Sequence, residues 1–120
     1  MKKLVLVDSE HGYWKTKEDF DDDMDLLRAF LNSNPVPDLK EFLDDLNKDW
    51  EFGGGDLVNF ERHDGQITLG YDFEDDGHKF TIKESELEKL IIDWLKLVES
   101  GAKEITIESQ DDEHYTITGK

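Results

Sequence analysis

DLVNFERHDGQITLGYDFEDDGHKFTIKESELEKLIIDWLKLVESG, residues 56–101, changes its apolar period once, and that change decides the fold. In the first part Ile67, Leu69, Tyr71 and Phe73 alternate with Thr68, Gly70 and Asp72, and Phe80 and Ile82 alternate with Thr81 and Lys83. A period of two belongs to strands with one buried face. The spans 56–62, 66–74 and 79–83 read as three strands. Asp64-Gly65, inside His63–Gln66, is the strongest short hairpin signal, and Asp75-Asp76-Gly77-His78 reads as a second turn. The three strands form an antiparallel meander. In the second part Leu87, Leu90, Ile91, Trp94, Leu97 and Val98 recur at helical spacing. Ser85 with Glu88 reads as a capping box and Gly101 as a left-handed C-terminal cap, which predicts a helix over 86–100.

On the C-terminal side, Ile105 and Ile107 alternate with Thr106 and Glu108, and Tyr115 and Ile117 with Thr116 and Thr118. These are two more strands, joined by a turn at Asp111-Asp112. On the N-terminal side, Lys3–Val7 reads as a buried strand and 9–15 as a loop. Thr16 with Asp19 reads as the start of a helix over 17–32, carrying Phe20, Met24, Leu27 and Leu31 on one stripe. Asn32-Ser33-Asn34-Pro35 ends it. Asp38 reads as the N-cap of a helix over 39–50, with Leu39, Phe42, Leu43, Leu46 and Trp50 on one face. Gly53-Gly54-Gly55 reads as a linker. The order is β-α-α-β-β-β-α-β-β, an α+β fold on a mostly antiparallel sheet. The 120 residues predict a single domain over 1–120.

Charge is the second strong signal. Acids number 31 against 14 bases, a formal net charge of −17. Nucleic-acid contacts need clustered Lys and Arg, and anionic membranes select basic patches, so neither is an expected partner. The chain has no cysteine, which excludes disulfides and thiolate chemistry. The apolar start Leu4–Val7 ends at Asp8, too short for a signal segment or a membrane span. The expected compartment is the cytoplasm. Periodic apolar residues and an 11% aromatic content argue against disorder despite the charge.

Local motifs carry little chemistry. The run Asp19 to Asp25 fails the calcium-loop pattern: counting from Asp19 puts Met24 at the glycine position and Phe30 at the glutamate position. Gly53-Gly54-Gly55 lacks the Lys and Ser/Thr of a phosphate loop. His11, His63, His78 and His114 lie in or beside turns, with no pair at metal-ligand spacing on one element. No cofactor is expected.

What remains is binding. Acids packed this densely raise one another's pKa and cost stability, and a cationic partner relieves that and speeds association. Asp21, Asp22, Asp25, Asp44, Asp45, Asp75, Asp76 and Asp112 are the expected contacts to Lys and Arg of a partner. Tyr13 and Trp14, loop aromatics, are the expected anchors. In size, acidity and architecture the chain resembles the small immunity proteins of bacterial toxin–immunity systems, such as contact-dependent growth inhibition and other polymorphic toxin families. That resemblance implies a non-enzymatic inhibitor that covers the active site of a basic toxin domain, typically a nuclease. Two alternatives are a DNA-mimic inhibitor of a nucleic-acid-binding protein and a small metal-binding or enzymatic module using the turn histidines.

Overall fold

The computed structural model describes residues 2–17, 24–48, 52–54, 58–71, 79–109, 111 and 113–120. Its elements are β1 (Lys2–Asp8), β2 (Trp14–Thr16), α1 (Asp25–Ser33), α2 (Val36–Asp45), β3 (Phe52–Gly54), β4 (Val58–His63), β5 (Gln66–Tyr71), β6 (Lys79–Lys83), α3 (Glu84–Glu99), β7 (Glu104–Ser109) and β8 (Tyr115–Gly119). The fold is α+β, and all its strand pairs are antiparallel. The strands divide between two four-stranded sheets, β2-β1-β7-β8 and β3-β4-β5-β6.

The meander forms as its period dictates. His63 pairs with Gln66, and the turn between them has φ of 50° at Asp64 and 78° at Gly65. Two left-handed residues in succession make the primed turn whose twist suits a two-residue hairpin. Val58, Ile67, Leu69, Phe80 and Ile82 are buried on its inner face. The first sheet is closed by β1, where Leu4 and Leu6 sit opposite Ile107 and Ile105, all fully buried. Helix α1 lies on β4, β5 and β6, while α3 runs along β8 and also touches β5 and β6. One continuous core joins the inner faces of both sheets to the three helices. At its centre Phe30 of α1 stands edge-to-face on Phe42 of α2 and Phe60 of β4, with ring centroids 5.4 and 6.2 Å away.

Several element boundaries differ from the sequence reading. Thr16 does not cap a helix; it pairs with Leu6 in β2, and α1 is a described helix only from Asp25. The positions 18–23, including Asp19 and Phe20, lie outside the described residues. Helix α2 begins at Val36, before Asp38, because Pro35 takes the extended N-cap conformation and Pro37 fits the first turn. Helix α3 starts at Glu84, and its N-cap is Lys83 with no side-chain cap, so the Ser85–Glu88 box is not used. The Glu84 N–H is met instead by the Gly65 carbonyl at 2.9 Å. Gly53 and Gly54 are not a linker: they pair with Phe60 and Asn59 as β3. The C-terminal cap of α3 holds as expected. Gly101 has φ of 89°, and the N–H groups of Gly101 and Ala102 bond the carbonyls of Val98 and Leu97.

The turn between β7 and β8 is tied by Asp111. Its Oδ1 accepts the N–H groups of Glu113 and His114 at 3.0 and 2.9 Å, and its Oδ2 lies 3.0 Å from His114 Nδ1. The His114 ring first, then these two N–H groups, hold the carboxyl down from 3.8 to about 2. The unfolded chain takes up this proton at the ordinary value, so the turn's contribution is complete above about pH 4 and disappears as pH falls through about 2. Urea unfolding across that window is expected to show a shallower loss of stability in Asp111→Asn than in the native chain. Parallel curves would show that Asp111 does not carry this linkage.

Candidate functional site

The sequence-flagged aromatics Tyr13 and Trp14 open a groove between β2 and α1. Strand β2 is an edge of its sheet, so the backbone groups of Trp14 point away from β1 and need partners. Asn32 of α1 supplies both. Its Oδ1 accepts the Trp14 N–H at 2.7 Å, and its Nδ2 donates to the Trp14 carbonyl at 2.9 Å. One side-chain amide thus stands in for a neighbouring strand. The Trp14 ring is half-buried and meets Trp94 edge-on, with centroids 5.1 Å apart. Tyr13, beside it, is 48% exposed.

The opposite wall is built by one turn of α1. Asp25 Oδ1 accepts Nε and Nη2 of Arg28 at 2.9 and 2.8 Å, and Asp25 Oδ2 accepts the Tyr71 hydroxyl. Burial first, and then this carboxylate, push the Tyr71 hydroxyl up to about 12. Tyr71 ends β5, so the cluster also fixes α1 to the second sheet. The groove, lined by Tyr13, Trp14, Lys15, Thr16, Asp25, Arg28 and Asn32, has a volume of about 670 Å³. Behind Trp14 and Asn32 a smaller cavity of about 190 Å³ runs between Leu31, Pro35, Val36, Trp94 and Val98. The pair can take a polypeptide segment with an apolar side chain seated beside Trp14.

The expected contact residues separate in space. Asp25, Tyr13 and Trp14 surround the groove, with the Asp25 carboxylate bonded within the protein. Asp44 is exposed near the end of α2, and Asp45 holds Lys48 at 3.1 Å. Asp21, Asp22, Asp75, Asp76 and Asp112 lie outside the described residues, as do Trp50 and His78.

Charge is nonetheless sorted along the chain. Acidic runs without a Lys or Arg occur at 18–25, with six acids, and at 72–76, with four. The described residues that flank 55–57 and 72–78 are neighbours. Gly54 pairs with Asn59, Asn59 with Gly70 and Gly70 with Lys79. Val58 pairs with Tyr71, and Tyr71 bonds Asp25 beside Thr16 and Arg28.

The histidines do not assemble. His63 faces Asp64 at 3.1 Å, His114 faces Asp111 in its own turn, and His11 stacks on Tyr13. Among the described residues no group of three or more His, Asp or Glu could hold a metal ion, and no helix is long and apolar enough to cross a membrane.

Asn32, Arg28 and Tyr71 went unremarked in the sequence. Asn32 reads there only as part of a helix stop, and its partner lies 18 positions away. Asn32→Ala leaves the two backbone groups of Trp14 that face α1 unpaired, at a cost of about 2 kcal/mol. The expected readouts are that loss in urea unfolding and a red shift of tryptophan emission as Trp14 leaves Trp94. An unchanged spectrum would mean that β1 alone holds Trp14.

No protein-family model, curated protein or solved structure matches this chain.

Proposed function

We propose that this chain is a non-enzymatic immunity protein that binds and neutralises a basic toxin domain, a nuclease by preference. The observation that carries the reading is the excess of acids and their clustering in runs. The chain carries 31 acids against 14 bases, with acidic runs at 18–25 and 72–76 that hold no Lys or Arg, and its described residues form a groove with an exposed tyrosine. A cationic partner gains twice from this arrangement: long-range attraction raises the encounter rate, and the groove offers an apolar seat once contact is made. A nuclease fits because its substrate is a polyanion, so its active-site surface is basic. Covering that surface blocks catalysis without any chemistry by the inhibitor.

The test compares the native chain with the quadruple reversal Asp21→Lys, Asp22→Lys, Asp75→Lys, Asp76→Lys as bait. The native chain is expected to retain a basic protein that elutes in a salt gradient, and the reversed chain to lose it. The retained protein must then be assayed for nuclease activity with and without one equivalent of the native chain. Full activity in the presence of the native chain would end the inhibitor reading. Equal retention by both baits would end the electrostatic one.

A further inference from the structure

The free sheet edges are managed in different ways. At β2 the outward groups of Trp14 are closed by Asn32. At β6 exposed Lys79 and Lys83 flank Thr81, a placement that discourages another strand and repels a basic one. Strand β8, Tyr115-Thr116-Ile117-Thr118-Gly119, has no charge, in a chain that is 38% charged.

Its register shows what the edge offers. The Lys120 N–H donates to the Glu104 carbonyl at 2.9 Å, which sets the alternation along the pair. Thr116 and Thr118 direct their backbone groups at β7, and Tyr115, Ile117 and Gly119 direct theirs outward. The Tyr115 N–H is met by Glu86 Oε1 at 3.0 Å. The outward N–H and C=O groups of Ile117 and Gly119 have no partner among the described residues.

The surroundings of that edge are acidic on the face that α3 covers. Helix α3 lays Glu86 on Tyr115 and Leu97 against Gly119. Glu86, Leu90, Asp93 and Leu97 are spaced four, three and four apart, so half-buried Asp93 lies on the stripe that follows β8. On the other face Glu108 stands between Thr116 and Lys3 of β1, so a base already faces it. Lys120, at the end of the strand, is turned onto Glu104 at 3.7 Å.

We infer that the outer edge of β8 receives an extended basic segment of the partner as a fifth strand of the first sheet. This rests on the basic partner proposed above and says how part of it docks. Backbone bonds to Ile117 and Gly119 supply the register. Alternate side chains of the added strand then place Lys or Arg by Glu86 and Asp93 on the face that α3 covers.

The test uses the full chain, labelled with 15N, and a synthetic heptapeptide of alternating lysine and valine. Two control peptides replace lysine by glutamate or carry an N-methyl on every amide. With the lysine peptide at saturation, amide exchange at Ile117 and Gly119 is expected to slow by about tenfold, and with either control to stay unchanged. Ile117→Pro removes one outward N–H and leaves the bonds to β7 intact, so it should abolish the effect at Gly119. Unchanged resonances of β1 and β7 establish that this variant is folded. A lysine peptide that binds but leaves Ile117 and Gly119 exchanging freely overturns the edge and spares the basic-partner reading. Equal slowing by the glutamate peptide overturns the basic occupant and weakens that reading with it. No binding by any peptide overturns the inference.

Discussion

Phe30→Ala is expected to lower the free energy of unfolding by about 3–5 kcal/mol. The ring is 1% exposed and touches two other rings edge-on, one from α2 and one from β4. Phe42 and Phe60 also meet each other, at 5.1 Å and 85°. Truncation therefore removes the transfer energy of a whole ring, opens a cavity and breaks two aromatic pairs at once. The three rings come from separate elements held by their own backbone bonds, so collapse into the cavity is limited. A domain of this size has about 5–15 kcal/mol in total, so a large share of its stability hangs on this one side chain. Urea unfolding with an unchanged m-value measures the loss. Phe30→Leu fills most of the volume and should cost far less. A loss below about 1 kcal/mol for the alanine variant would show that the three rings are not the centre of the core.

Arg62→Ala is expected to cost about 2–4 kcal/mol, more than a surface ion pair is worth. Arg62 donates from Nη1 to the Lys48 carbonyl at 2.7 Å and from Nη2 to the Leu46 carbonyl at 2.9 Å. Its Nε stands 2.5 Å from Glu84 Oε1. A guanidinium on β4 thus caps the end of α2 and grips the first residue of α3. Both side chains of the ion pair are only about one-quarter exposed, 24% and 25%, so solvent does not replace what is lost. Arg62→Lys should rescue little, because a single ammonium cannot reach two carbonyls and a carboxylate together. The distinctive readout is amide exchange in the last turn of α2, which should quicken more than global unfolding requires. Uniform quickening would mean that Arg62 contributes bulk stability only.

The parts of this fold visible in the sequence are those fixed by near neighbours. The meander, its Asp64-Gly65 turn and α3 with its Gly101 cap each rest on periodicity or on a backbone conformation few residues can adopt. What escaped notice rests on distant partners. Strand β2 is three residues long and exists because β1 lies on one side and the Asn32 amide on the other. Strand β3 contains two glycines, which carry no strand signal, and is made by its pairing to β4. Helix α3 begins at Glu84 because Gly65 and Arg62 meet it there, which no capping pattern encodes. For the site, the exposed tyrosine and Trp14 were visible as loop aromatics. The groove wall was not, since Arg28 and Tyr71 converge on Asp25 only after α1 docks on β5.

Leu6 and Ile105, neighbours across β1 and β7, are 99 positions apart in the chain. The second sheet and α3, by contrast, all come from 52–99. Pairings of such range close late, because the entropy of the intervening loop must be met before they return anything. On a ribosome the order is stricter still. Leu4 and Leu6 have no inner neighbour until β7 has been made, so a nascent chain stopped before residue 104 can build its meander and long helix while still displaying its first strand to whatever else is in the cell.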